Sequence, residues 1–321
     1  MHRSILQRTL SSIAAVLLAL ASATASAEKP SQITMLTGSP GGSWYPISAG
    51  IAKVLGDAGI NTRLEQGGGN SNILNIAAGR AEAGFGLTTA NYLASVGKGV
   101  FKEPVKGVMA LTVLYTQLAH TVVSVDSGVV SYDQLRGKRM ASQSMASGSR
   151  QIFDDTLVAY GLANGEKDLD IVFRGGPGAS SVPVRDRQAI GFVATTAPPT
   201  SSVAETAQAL PIRLLPISDA AFMKMKTANP GYGKGVIPGG IYPGVDEDVP
   251  TVSDDTVLIT NADVPEDTAY WIVRTMAENL DAIRTVHPAL KSLTKERMAN
   301  VQALKLHPGA ARYYREIGVI K

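Results

Sequence analysis

The chain has 321 residues, no cysteine and a formal net charge of +3. A balance this small gives no electrostatic case for binding nucleic acid or an anionic membrane. Without cysteine there is no disulfide, no thiol chemistry and no lipoprotein anchor, which needs a Cys directly after the cleavage site.

The first residues read as a secretory signal peptide. "MHRSILQR" is basic, "TLSSIAAVLLALASATA" is apolar and small, and Ala25-Ser26-Ala27 is a small-x-small cleavage site. The apolar core from Ile13 to Leu20 is far shorter than the roughly 20 residues of a membrane span. Cleavage after Ala27 is therefore expected, giving a soluble, exported bacterial-type protein, and the loss of Arg3 and Arg8 leaves the mature chain at +1. The remaining 294 residues exceed one ordinary core and predict a split into two.

From residue 33 short apolar runs alternate with helical periods. "ITML" predicts a buried strand, followed by the loop "TGSPGGSWYP" and a helix from Pro46 that carries Ile47, Ile51, Val54 and Leu55 on one face, ended by Gly59. "TRLEQ" predicts a second strand, followed by "GGGNSN" and a helix carrying Ile73, Leu74, Ile76 and Ala77. "AEAGFGL" is the third, followed by "TTANYLASVGKG", where Thr88 or Thr89 is placed to cap a helix. Strand, polar loop and helix three times over imply a mainly parallel sheet with helices on both faces. Such sheets bind ligands at the carboxyl edge of their strands.

The same grammar returns after "AHTVVSVDSG". "GKRMAS", "LDIVFR" and "AIGFVAT" predict strands, and "QSMASGSR", "GGPGASS" and "TAPPTSSVAETAQAL" lead into helices. "GGGNSN" beside "GGPGASS", and "GLTTANYLA" beside "VATTAPPTSSVA", fit either a structural repeat or the loops that any two α/β sheets share. "IRLLPIS" follows, and "NPGYGKGVIPGGIYPGV" reads as loop alone. "DTVLIT" is a strand and "PEDTAYWIVRTMAENLDAIRTV" one long helix. The expected architecture is α/β in two lobes: residues 28–120, residues 121–252, and a C-terminal segment 253–321 that returns to the first lobe. Two chain crossings would make a hinge.

Backbone N–H groups at helix starts hold an anion without a basic side chain, and glycines let a ligand approach them. Ser39, Ser43, Ser71, Thr88, Thr89, Ser147 and Ser149 add hydroxyls. Trp44 and Tyr45 either wall such a pocket or pack the loop against its own lobe. A nucleotide site is not expected, since "GSPGGSWYP" lacks the Walker Lys and no loop supplies G-x-G-x-x-G. Hydrolysis is not expected either: there is no G-x-S-x-G and no His-Glu-x-x-His. His120, His287 and His307 read as structural, the last two as caps or packing before Pro. "VDEDVP" and Asp254-Asp255 read as solvated loop. Arg150 and Arg174, each near a second-lobe loop, are the only cations well placed to meet an anion, with a surface ion pair as the other reading of each. No cofactor, metal or enzyme activity is expected.

The segments "MLTGSPGGSWYPISAGIAKVL", "GGGNSNILNIAAGRAEAGFG", "DSGVVSYDQLRGKRM", "SGSRQIFDDTLVAYGL" and "LHPGAARYYREIG", in this order, resemble the TAXI family. These are substrate-binding proteins of tripartite ATP-independent periplasmic (TRAP) transporters. The resemblance runs over most of the chain, and its specificity lies in the order and spacing of motifs that are individually weak. It implies a type II-like two-lobed periplasmic-binding-protein fold, a monomer that closes on a small organic anion such as glutamate or 2-oxoglutarate. The permease that receives the ligand, fused or of two subunits, is driven by an ion gradient. Carried over by position, the implied ligand contacts are Ser39, Gly42, Ser43, Tyr45, Asn70, Ser71, Thr88, Ser147, Gly148 and Ser149. The chain departs from the family pattern at Ala146 and Arg150, where Gly and Thr are usual, and at "RQAIGFVATTAPPT". A receptor that reports to a membrane sensor kinase would use the same site and is the alternative.

Overall fold

A computed structural model of the protein describes residues 28–162 and 168–321. The signal segment and its cleavage site lie outside the described residues. In the first half, strands β1 (Gln32–Thr37), β2 (Asn61–Gln66) and β3 (Ala83–Leu87) alternate with helices α1 (Trp44–Asp57), α2 (Gly69–Ala77) and α3 (Thr88–Val96). The long β4 (Val108–Ser124) leads to β5 (Arg139–Gln143), α4 (Gly148–Ala159), β6 (Asp170–Arg174), α5 (Pro177–Arg185), β7 (Gly191–Thr196) and α6 (Ser201–Ala209). Next come β8 (Ile212–Leu214), α7 (Asp219–Ala228), β9 (Gly233–Ile237) and β10 (Val249–Asn261). Helices α8 (Glu266–Glu278), α9 (Leu280–Val286), α10 (Lys295–Ala299) and α11 (Pro308–Glu316) complete the chain.

One mixed sheet runs through the molecule in the order β2-β1-β3-β10-β4-β7-β5-β6. Both ends are parallel: β1 pairs β2 and β3, and β5 pairs β6 and β7. The order β2-β1-β3 on one side is matched by β6-β5-β7 on the other, so the rhyming loops of the sequence belong to equivalent strand-loop-helix units. The long strands β4 and β10 lie antiparallel between the two ends. Leu118 pairs Ser253 on one side and Thr196 on the other, and past it β4 runs on beside β7 and β8. Among the described residues, β4 and β10 join the two parallel ends of the sheet, and each end forms a lobe around its own parallel strands.

Alternation and continuous apolar runs explain the strands. "AGFGL" of β3 is buried throughout, as a parallel strand covered on both faces must be. In α1 the buried stripe is Ile47, Ile51, Val54 and Leu55, and helices α8 and α9 pack against that helix. A second, smaller core of Val122, Val184, Phe192, Val203 and Tyr242 lies under α5 and α6.

Three sequence expectations change. The glycine-rich stretch read as loop contains β9, paired with β10 through Ile237 to Gly233; with alternating glycines it carries almost no apolar signal. The long C-terminal helix is two, α8 and α9, separated at Asn279, whose side chain donates to Thr275 O at 2.8 Å. Asp254 and Asp255 lie on β10, not in a loop, and Asp254 is only 2% exposed. In a strand successive side chains face opposite ways, so one acid of the pair turns inward.

Candidate ligand site

A cavity of about 420 Å³ lies between the lobes. Its walls come from the loops after β1, β2, β5 and β6, which lead into α1, α2, α4 and α5. The lining therefore holds four helix starts, two from each lobe. Gly68 and Gly69, Ser147 and Gly148, and Gly176 and Pro177 lie at the first positions of their helices, and Ser43 directly precedes Trp44. At such positions the positive ends of the helix dipoles meet the cavity. Among the described residues no Asp, Glu, Lys, Arg or His lines it.

The lobes touch through these same loops. Ala146 O accepts from Asn70 N at 3.0 Å and Ser71 N at 3.3 Å, and Met145 O accepts from the Asn70 side-chain amide at 3.0 Å. Thr200 Oγ1 donates to Gly41 O at 3.0 Å. Backbone meets backbone where glycine permits: a Cβ on Gly41, whose φ is +86°, would lie 2.5 Å from Gly178 N. A left-handed φ and a neighbour at that distance both exclude a side chain.

Ser43 joins the first loop to β4 and to the end of β7. Its hydroxyl oxygen lies 3.1 Å from Tyr115 OH and accepts from Thr196 Oγ1 at 3.0 Å and Ala197 N at 3.2 Å. Burial holds the Tyr115 phenol well above its ordinary range, so it stays neutral. Ser149 Oγ accepts from Thr195 N at 2.9 Å, and Ser147 caps α4 by accepting from Ser149 N at 3.2 Å. Trp44 both packs and lines: its ring is tilted against Phe85 at 5.6 Å, its Nε1 donates to Thr256 Oγ1 at 3.1 Å, and its edge reaches the cavity.

Seven of the residues named from the sequence line the cavity: Ser39, Gly42, Ser43, Ser71, Ser147, Gly148 and Ser149. Three do not. Tyr45 is 51% exposed, one helical step from buried Trp44. Asn70 is turned to the opposite lobe, where it holds Met145 and Ala146. Thr88 lies at the start of α3, which the protein itself occupies: Thr89 N donates to Asp254 at 3.2 Å, Thr89 Oγ1 donates to the same carboxyl, and Thr88 Oγ1 donates to Asp255 O at 3.4 Å. Burial pushes the Asp254 carboxyl up to about 8. No Thr caps α3 with its side chain; Leu87 precedes the helix and Asp254 serves instead.

Sequence reasoning missed Gln66, Gln117, Gln143, Gly175, Gly176 and Thr195 as lining residues. Gln117 lies mid-strand on β4 and donates to Thr256 Oγ1 at 2.7 Å. Gln143 and Thr195 sit near the ends of β5 and β7, where ligands of open sheets bind; that rule could have found them. Arg150 is buried, pairs with Asp154 at 2.8 Å and stacks on Phe173 at 4.8 Å, and Arg174 is exposed; neither lines the cavity.

The histidines have structural roles. His287 Nδ1 accepts from Ala289 N and His307 Nδ1 from Gly309 N, each capping the turn it precedes. His120 Nδ1 donates to Leu118 O at 2.9 Å, so Nε2 accepts from Tyr242 OH at 3.1 Å, and burial pushes its pKa down to about 4.

The sequence pattern of the NMT1-like family matches residues 35–318. A solved protein of Bordetella bronchiseptica RB50 is similar in fold, with a TM-score of 0.52 and 15% identity over 90% of this chain and 81% of that one. A structure described as a periplasmic transporter gives 0.50 at 14% identity, over 91% of this chain and 94% of that one. A Xanthomonas citri protein bound to a chloride ion gives 0.50 at 12% identity, over 90% and 97%. The fold is that of the type II periplasmic binding proteins.

Proposed function

The chain belongs to the NMT1-like family, and from that premise we propose that it is a periplasmic solute-binding receptor that captures a small organic anion between its lobes. One observation carries the proposal: the two lobes meet around a cavity of about 420 Å³ into which α1, α2, α4 and α5 all begin. Uncharged donors at helix starts stabilise an anion yet leave no strong ion pair to break on release. Reversible capture needs that balance.

The ligand class is a glutamate- or 2-oxoglutarate-like carboxylate, and the recipient a TRAP-type permease, as the TAXI resemblance implies. Ser39, Gly42, Ser71, Ser147, Gly148 and Ser149 are the proposed contacts, joined by Gln66, Gln117 and Thr195; Ser43 contributes by fastening the lobes around the ligand. The lobes are residues 28–120 with 253–321, and residues 121–252, and β4 and β10 are the hinge between them. Because donors of both lobes reach the ligand only when the cleft is shut, binding and closure are linked.

A thermal scan of the mature protein, stripped of carried ligand and offered a panel of organic acids, tests capture. Saturating ligand at about 1,000 times Kd should stabilise by about 4 kcal/mol; no shift with any acid removes the anion assignment. Uptake into vesicles tests the recipient. Transport that needs this protein and an ion gradient but no ATP fits a TRAP permease, and dependence on ATP contradicts it.

A further inference from the structure

Granting that the cavity is an anion site, we infer that its ligand bears no ammonium group: an oxo, hydroxy or unsubstituted acid, not an amino acid. Three features of the cavity lead there independently. No carboxylate lines it among the described residues, so an ammonium carried in would have no counter-charge. An unpaired buried cation is strongly disfavoured.

The dipoles point the same way. With α1, α2, α4 and α5 all starting at the cavity, the field inside is positive, which draws a carboxylate and repels an ammonium.

Acceptors decide the matter further. An ammonium brings three N–H donors that need oxygen partners. Ala146 O, at the cavity wall, already accepts from two amides of the opposite lobe, Asn70 N and Ser71 N. Gly68 O accepts from Asn72 N at 2.8 Å and from Ser71 Oγ at 3.1 Å. Two lone pairs each make both carbonyls full. Gln143 is turned to the protein as well: its Nε2 donates to Val193 O at 2.7 Å and Ser180 Oγ at 3.2 Å, and its Oε1 accepts from Ser147 Oγ at 3.5 Å. Acids near the lining in sequence are likewise engaged: Glu65 by Arg63, Asp154 by Arg150, and Asp155 by Tyr232 and Gln151. Asn70 N, Ser71 N and Ser149 N are spent on the protein, which leaves Gly69 N, Gly148 N and the proton of Ser149 to donate. The amide oxygens of Gln66 and Gln117, whose Nε2 groups donate to Ser39 Oγ and Thr256 Oγ1, are neutral acceptors and supply no counter-charge.

Matched pairs with one carbon skeleton isolate the ammonium: 2-oxoglutarate with glutamate, oxaloacetate with aspartate, pyruvate with alanine, and 4-methyl-2-oxopentanoate with leucine. Titration calorimetry on the ligand-stripped mature protein gives both constants. The oxo acid should bind at least tenfold tighter in every pair in which either partner binds. An amino acid binding within tenfold of its oxo partner, or tighter, overturns the inference and leaves the anion receptor standing. Silence in both arms overturns the anion reading and the inference with it.

Discussion

Each lobe contributes three helices that follow parallel strands, and the six helix starts fall into two groups. Those of α1, α2, α4 and α5 lie at the cavity, although Asn70 N and Ser71 N of α2 are already given to Ala146 O. Those of α3 and α6 are closed by protein: Asp254 from β10 receives Thr89 N and Oγ1, while Thr200, just before α6, donates its N–H to Tyr242 OH and its Oγ1–H to Gly41 O. One kind of terminus thus serves two ends. An amide already taken anchors the lobe to β10 or to the opposite lobe, and one left at the cavity is available to a ligand; a helix start shows its function only through what the rest of the chain has placed against it.

The largest expected effect comes from forcing the mouth apart. Gly41→Ala puts a Cβ into Gly178 N at a left-handed position, so closure should fail and affinity fall by about 100-fold, or roughly 2.7 kcal/mol. Calorimetry measures the loss, and small-angle scattering should show that ligand no longer compacts the variant. Unaltered affinity would mean that the contact between Gly41 and Gly178 is not needed for capture.

Removing the occupied start should act on stability instead. Asp254→Ala leaves Thr89 N without its buried partner and should destabilise by about 2 kcal/mol in urea unfolding, with ligand affinity changed much less. The pH dependence carries the same signature. Burial raises the Asp254 carboxyl to about 8, against about 4 in an unfolded chain. Between these values the native chain holds a proton that the unfolded chain has released, so stability falls as pH rises through that window. Asp254→Asn should flatten the slope; an identical slope in the variant would show that Asp254 does not carry it.

Smaller effects separate fastening from contact. Ser43→Ala removes the partner of Thr196 Oγ1 and Ala197 N and should weaken both binding and unliganded stability by about 1–2 kcal/mol. Asn70→Ala removes the bond to Met145 O and should weaken binding about fivefold, or about 1 kcal/mol. Ser149→Ala should lose about the same in affinity and, because Thr195 N loses its acceptor, about 1 kcal/mol in unliganded stability. Unchanged affinity in Ser149→Ala would remove Ser149 from the ligand contacts.

Much of this was legible in the sequence because the signals are local. Apolar runs beside glycine and hydroxyl loops fixed the strand-loop-helix units, and the loops named from them, such as "GSPGGS" and "ASGS", reach the cavity. What escaped depends on partners far along the chain. Gln117 sits in the middle of β4, where nothing local separates a lining residue from any other polar side chain in a strand. Thr88 and Asn70 have the right residue types in the right loops, yet one is held by β10, 167 residues away, and the other by the opposite lobe, 75 residues away. The inward turn of Asp254 follows from strand alternation once "SDDTVLIT" is seen to belong to a strand that begins before it. β9 was hidden by its glycines, which pair through backbone alone.

The central claim is that the four helix starts at the cavity hold an anion between closed lobes. A crystal structure of the stripped protein soaked with its tightest-binding organic acid tests this most directly. The account predicts the carboxylate inside the cavity, accepting from backbone N–H groups of both lobes and from Ser149. A ligand seated elsewhere, or held in the cleft by Arg150 or Arg174, would contradict it.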